Sequence, residues 1–288
     1  MTGPRGFIGR HLVARLKREG LDVLEWGSDI RRVAECATPA EVVFHLAAVT
    51  RHERFAEAPH ESYDINVTGT CAVLEYCRRM HACCIMASTS GVYSGSGEGR
   101  ALSEDAPVGP TSPYGISKWL GENLCRQASR SSGVPSVVLR LFNVYGPGQE
   151  PAYLVPYILE CVVRQEPIRL RMPDAVRDFV YVDDVVEAFI RAASFCRLLG
   201  PGRGDDPFEV FNIGSGVPTR VRDVLTDLVE LCGAPPTHAH GDARQGEAAR
   251  VTADCRRARE VLGWRAEVPL KEGLRRVAER YLAGETSR

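Results

Sequence analysis

Thr89, Tyr114 and Lys118 are the residues whose types and spacing could do chemistry. Thr89 closes an apolar run, and 25 residues later comes Tyr114-Gly-Ile-Ser-Lys118. Tyrosine and lysine four apart on a helix share one face, so an ammonium at 118 can lie beneath a phenol at 114. A free tyrosine has a pKa near 10 and is a poor base at neutral pH, but nearby positive charge favours its phenolate. Lysine suits that place because it is a compact point charge, where the planar fork of arginine is bulkier. Thr89 would supply a hydroxyl to orient a substrate oxygen. The lysine count sharpens the point: of 36 basic residues only Lys17, Lys118 and Lys271 are lysine.

A second constellation opens the chain. Thr2-Gly3-Pro4-Arg5-Gly6-Phe7-Ile8-Gly9 is a GxxGxxG that leads straight into a helix. Its glycines permit a tight turn, close approach of backbone to a pyrophosphate, and packing of helix on sheet, while the helix N-terminus offers oriented N–H groups to the anion. The motif alone is an ordinary glycine turn; its position ahead of an α/β series makes it a dinucleotide site. With that site upstream, the charge expected at Tyr114 is the sum of an ammonium and a cationic nicotinamide.

The elements that must position these residues alternate in the manner of a parallel sheet wrapped by helices. Strands are predicted at Leu21 to Trp26, Glu41 to Leu46, Cys83 to Ser88 and Ser136 to Leu141. Helices are predicted at Gly9 to Arg18, Val67 to Arg79 and Tyr114 to Ser129, from apolar residues at three- and four-residue spacing. The fold class is α/β, a doubly wound parallel sheet with a smaller C-terminal lobe. Residues 1–145 form the dinucleotide-binding domain, to which 178–198 and about 209–214 return; 146–177 and 215–288 form the substrate-binding lobe. A strand and helix are expected from Asp178 to Ala193, and loops at Leu199 to Pro207 and Thr237 to Gly246.

Composition excludes other classes. The chain has 288 residues, 44% hydrophobic and 25% charged, which rules out disorder, collagen and coiled coil. A net charge of -1 steers it toward neither nucleic acid nor an anionic membrane, so a small-molecule partner is expected. No apolar run is long enough to span a membrane and no leader pattern opens the chain, so the expected location is the cytoplasm. Ten cysteines lack CxxC spacing and read as buried free thiols, and His238 and His240 have no cysteine at ligand spacing. Asp178, Asp183 and Asp184 look like a metal cluster at first sight. They are expected to be structural, with Asp183 or Asp184 capping the helix that follows, and no metal is predicted.

These residues resemble the extended short-chain dehydrogenases/reductases that act on nucleotide sugars, the NAD-dependent epimerase/dehydratase family. The resemblance runs along the chain through TGPRGFIG (2–9), FHLAA (44–48), DINVTGT (64–70), STSGVYS (88–94), SPYGISK (112–118), LRLFNVYGPG (139–148), RDFVYVDDV (177–185), FNIGSG (211–216), RQGEAARVTAD (244–254) and LGW (262–264). It implies Thr89, Tyr114 and Lys118 as catalytic residues. It also implies that Gly3, Gly6, Phe7, Ile8 and Gly9 face a coenzyme pyrophosphate, that Leu46, Ala47 and Ala48 line the adenosine and ribose region, and that Asn66 supports the strand ends beside the nicotinamide. Asn143, Arg177 and Arg244 would contact the sugar diphosphate, with Arg250 a weaker candidate. The implied activity is hydride transfer at sugar C4 with NAD or NADP. A nucleotide-sugar 4-epimerase leads, a 4-ketoreductase of deoxysugars is the alternative, and a non-catalytic dinucleotide binder is the reading from another class. The implied partner is a nucleotide-diphosphate sugar, and a homodimer stays open.

Three departures from the family pattern matter. The apolar strand that should precede Thr2-Gly3 is missing, which suggests that Met1 is an internal residue of a longer chain. Only 15 residues, Gly27 to Glu41, join the second strand to FHLAA, so the adenine end is abbreviated. There Asp29 favours the ribose hydroxyls of NAD, while Arg31 and Arg32 favour the 2'-phosphate of NADP. Finally, Ser90 and Gly91 follow Thr89 where 4,6-dehydratases carry an acidic pair. A hydroxyl and a hydrogen cannot do that acid-base work, so dehydration is not expected.

Overall fold

The structure, a computed structural model, describes residues 1–95, 99–199, 207–234 and 249–284. In chain order its elements are α1 (Phe7–Arg18), β1 (Val42–His45), α2 (His52–Glu57), α3 (Pro59–Tyr63), α4 (Gly69–Met80), β2 (Cys83–Thr89), α5 (Pro113–Ser132), β3 (Ser136–Leu141), β4 (Asn143–Tyr145), α6 (Leu154–Arg164), β5 (Val176–Tyr181), α7 (Val182–Leu198), β6 (Phe208–Ile213), β7 (Pro218–Arg220), α8 (Val221–Leu231), α9 (Arg256–Val261) and α10 (Leu270–Leu282).

The main sheet runs β1-β2-β3-β6 with every pair parallel. Strands covered on both faces need nearly continuous apolar sequence, and Cys83 to Ser88 and Ser136 to Leu141 are buried throughout. Alternate side chains separate two cores. Ile85, Leu139 and Phe211 pack with Leu12 of α1 and Phe189 of α7, whereas Cys84, Met86 and Val138 pack with Val73 of α4 and Cys125 of α5. A second sheet, β4-β5-β7, packs with α6, α8 and α10 around Ile158, Leu159, Phe179, Leu228 and Leu274.

Two expectations are corrected. Leu21 to Trp26 is not a strand: only Trp26 bridges, to Thr2, and Leu21 and Leu24 stand exposed. A strand exists through its ladder, and only Met1 and Thr2 lie between this segment and β1. The Trp26 N–H donates to the Met1 carbonyl at 2.8 Å, and the Thr2 N–H donates to Phe44 at 2.9 Å. The acids after Arg177 do not cap α7, whose N-cap is Tyr181. Asp183 pairs with His11 at 3.7 Å, and Asp184 accepts from the Val268 N–H at 3.0 Å. Asp178 accepts the N–H groups of Ser215, Gly216 and Ala253 at 2.6, 2.9 and 3.0 Å.

All ten cysteines carry free thiols. Among the described residues, no helix is long and apolar enough to cross a membrane, and no group of His, Cys, Asp and Glu is placed to hold a metal ion. Residues 200–206 and 235–248 lie outside the described residues, and with them most of both expected loops and His238, His240 and Arg244.

Candidate active site

The ends of β2 and α5 build the centre of the site. Helix α5 starts sharply because Pro113 sits in its first turn and the Ser112 hydroxyl accepts the Gly115 N–H at 3.0 Å. Tyr114 therefore stands at the head of the helix with Lys118 one turn deeper, and β2 ends on Thr89. The Thr89 hydroxyl lies close enough to the Tyr114 hydroxyl to act on its proton affinity. Thr89 Oγ1 also accepts the Gly91 N–H at 3.1 Å, which fixes its rotamer.

The ammonium of Lys118 is placed differently from the expected stack beneath the phenol. It is 4% exposed and donates to the carbonyl of Ala87 at 2.8 Å. Burial lowers its pKa to about 8. Burial, followed by the neighbouring Tyr153, raises Tyr114 above its ordinary range, and only the nearby Thr89 hydroxyl opposes this. In the chain alone the phenol is thus protonated, and the charge that would make it a base must arrive with what binds in the cleft.

A buried polar chain braces this centre. His45 at the end of β1 lies between Thr2 Oγ1 at 2.9 Å and Thr70 Oγ1 at 3.0 Å. Burial, with the Lys118 charge adding to it, lowers its pKa to about 3, so the ring is neutral. Asn66 holds Val49 by both backbone groups, accepting its N–H at 2.7 Å and donating to its carbonyl at 2.9 Å. Its amide also donates to Ser117 Oγ at 2.9 Å, tying the end of β1 to α5. Asn66 thus holds the segment that follows β1 and, although expected beside the nicotinamide, is not itself on the cleft wall.

Around this centre lies a cleft of about 2480 Å³. Gly3, Gly6, Phe7, Ile8, Gly9, Leu46, Ala48, Thr89, Tyr114, Lys118, Asn143 and Arg177 all line it. Ala47 is not on the wall, and its N–H donates to Thr2 Oγ1 at 3.3 Å. Asp29 is not there either. Its carboxylate is engaged by Arg31 and accepts the Arg31 N–H at 3.0 Å, while Arg31 reaches on to Asp64 at 2.6 Å. The acid and one of the two arginines weighed for coenzyme choice therefore satisfy each other.

The glycine turn fits a dinucleotide. A Cβ on Gly9 would come 2.0 Å from the Gly3 carbonyl oxygen, so α1 can start this close to the turn only on glycine. The N-cap of α1 is Gly6, with no side-chain cap, which leaves first-turn N–H groups facing the cleft.

The opposite wall is braced as one piece. The Val176 N–H donates to Ala249 at 2.8 Å and the Val251 N–H donates back to Val176 at 2.9 Å, which sets Arg250 beside Arg177. Arg250 lines the cleft, and its Nε is buried without a hydrogen-bond partner.

Sequence reasoning missed two residues. Tyr153 shares a hydrogen bond with Thr50 Oγ1 at 3.1 Å and lies near enough to Tyr114 to raise its proton affinity; no spacing signals a contact across 103 positions. Arg10 lines the cleft with its Nη2 on the Gly148 carbonyl at 2.9 Å, and its place directly after the glycine motif was the available signal.

The NAD dependent epimerase/dehydratase family model matches residues 1–214. The chain belongs to the NAD-dependent epimerase/dehydratase family. Among curated members, it is 33% identical to the UDP-glucose 4-epimerase of Mycolicibacterium smegmatis, with 97% of this chain and 96% of that one covered. It is 32% identical to a putative UDP-glucose 4-epimerase of Methanocaldococcus jannaschii, with 96% of each covered. Among solved members, MoeE5 in complex with UDP-glucose and NAD aligns with a TM-score of 0.90 at 33% identity, covering 99% of this chain and 98% of that one. The Thermotoga maritima UDP-glucose 4-epimerase with UDP-glucose aligns with a TM-score of 0.89 at 30% identity, covering 99% and 98%.

Proposed function

We propose that this family member is an NAD-dependent UDP-sugar 4-epimerase. The observation that carries the reading is that Thr89, Tyr114 and Lys118 meet in one cleft that runs from the glycine turn to Arg177. Relatives named for 4-epimerisation that match over nearly their whole length support it, and two of the similar solved structures hold UDP-glucose.

The α1 N-terminus and the Gly3–Gly9 turn would hold the NAD pyrophosphate, with Leu46 and Ala48 beside it and Lys118 within reach of its ribose. Bound NAD would supply hydride transfer at C4 and a positive charge that lowers the proton affinity of Tyr114. The protein handles the proton. Tyr114 would take it from the C4 hydroxyl and give it back to the C4 oxygen once the sugar has rotated in the cleft. Thr89 hydrogen-bonds the C4 oxygen throughout. Asn143 and Arg177 bind the diphosphate, and Arg244, outside the described residues, is assigned there as well; the arginine fork suits two phosphate oxygens. Anchoring the nucleotide end while leaving the sugar free reconciles tight binding with rotation. Ser90 and Gly91 beside Thr89 supply no acid for dehydration.

Incubation with NAD and either UDP-glucose or UDP-glucuronic acid tests this. The expected result is the C4 epimer with no net change in NADH absorbance. Stoichiometric formation of NADH with a 4-keto sugar would instead make the chain a one-way oxidoreductase, consumption of NADPH in a separate incubation with a 4-keto-6-deoxysugar nucleotide would make it a ketoreductase, and bound NAD without turnover would make it a binder. We place the enzyme in the cytoplasm, where its ten thiols stay reduced. We also infer a homodimer through α5, where Trp119 and Leu120 are exposed; a monomer in sedimentation velocity would refute it.

A further inference from the structure

Helix α5 presents a second charged group on the face that carries Tyr114 and Lys118. Glu122 follows Lys118 by four residues, is 4% exposed, and meets Arg140 of β3, equally buried. The contact is two-pronged, with Arg140 Nη2 on Oε2 at 2.8 Å and Nε on Oε1 at 3.1 Å. Ser88, register partner of Arg140 across the sheet, donates its hydroxyl to Glu122 Oε1. Arg140 is fixed from behind by the Tyr93 hydroxyl at 3.0 Å and the Glu104 carbonyl at 3.1 Å. Ion pairs this deep add little net stability, because desolvation offsets the attraction and an apolar pair of similar volume serves as well. An apolar pair could neither hold Ser88 nor set a field at the next turn of the helix.

We propose that Glu122, locked by Arg140, is a positioning residue of the active site: it seats the last turn of β2 through Ser88 and supplies the negative charge that keeps Lys118 an ammonium. Ser88 lies between Ala87, whose carbonyl holds Lys118, and Thr89, which meets Tyr114, so one carboxylate anchors both contacts. The charged and titratable groups acting on Lys118 are Glu122 and Cys125 of α5 and His45 of β1. The Cys125 thiol, which donates to Met86 Sδ at 3.6 Å, is held neutral by the neighbouring Cys84 and by burial, and His45 is neutral. Glu122 is therefore the anion among them. Its catalytic consequence rests on the epimerase reading; its effect on Lys118 does not.

With only three lysines, NMR of protein labelled at lysine Cε gives three signals, and K118R identifies the one from residue 118. It is expected to titrate near pH 8 in the parent and about one unit lower, a tenfold loss of proton affinity, in E122Q. The basic limb of kcat should move the same way with KM little changed, and E122D should recover part of both. S88A keeps the ion pair, so it should lower kcat and leave the Lys118 titration in place. If E122Q does not fold, E122Q/R140M leaves no unpaired buried charge and carries the same expectation. Folded E122Q with an unmoved Lys118 titration overturns the proposal, as does S88A with parental kcat. Absence of epimerisation in the parent would remove the function reading, and the titration would still decide this one.

Discussion

The Lys118 ammonium donates to the Ala87 carbonyl at 2.8 Å, two residues before Thr89 in the same strand. Lysine and threonine are thereby held to a common piece of backbone, and Tyr114 reaches that piece from the helix that carries the lysine. Small shifts of α5 against β2 change the Lys118–Ala87 and Tyr114–Thr89 distances together.

Y114F removes the proton carrier and keeps the ring that packs against Phe55. Its kcat should fall by about 10²–10⁴ with NAD affinity retained, measured by turnover and by coenzyme titration. T89V should cost about tenfold in kcat, and T89S should recover most of it.

Lys118 charges and discharges within reach of ordinary buffers. Above about pH 8 the ammonium is lost, so kcat/KM should decline as pH rises through that value in the free enzyme. A profile flat to about pH 10, where a free lysine titrates, would contradict the placement of Lys118.

His45 makes stability fall in acid. The unfolded chain takes up its proton near 6.5, while the folded ring resists until about 3, so between those values the unfolded state binds more protons and gains with each step down in pH. Above 6.5 the term vanishes. H45Q should flatten the drop in Tm between about pH 7 and about pH 4, while losing about 1–3 kcal/mol at neutral pH from its threonine partners.

A Cβ on Gly9 would meet backbone at 2.0 Å, which no rotamer change relieves. G9A should weaken NAD binding at least about tenfold and destabilise the fold by about 1–3 kcal/mol, read by calorimetry and thermal melts.

R177Q should raise KM for UDP-sugars about tenfold and leave kcat near parental, because the diphosphate is bound equally in ground and transition states. A loss confined to kcat would remove Arg177 from the diphosphate.

Much of the site was legible because it is local. The glycine turn, the Tyr114–Lys118 spacing and the end of β2 at Thr89 each depend on a short stretch of chain and its period. What escaped depends on partners far along the sequence. Leu21 to Trp26 has the alternation of a strand, yet no ladder forms on it beyond Trp26. Asp29 sits where a ribose partner belongs, but its charge is spent on Arg31 two residues away. The acceptor of Lys118 is a main-chain carbonyl, which no residue type announces. Asp183 and Asp184 stand in the first turn of α7 as capping residues would, and it is His11 and Val268 that claim them.

The bracing of the far wall has a consequence for what the enzyme measures. Arg177 and Arg250 ride on neighbouring segments laced through Val176, and Asp178 knots that edge to Ser215, Gly216 and Ala253. The jaw opposite Tyr114 is therefore stiff, and the cleft behaves as a caliper with a set gap. On the proposed function, a nucleoside diphosphate is expected to bridge it and deliver its sugar to Tyr114, whereas a sugar monophosphate would reach one jaw only.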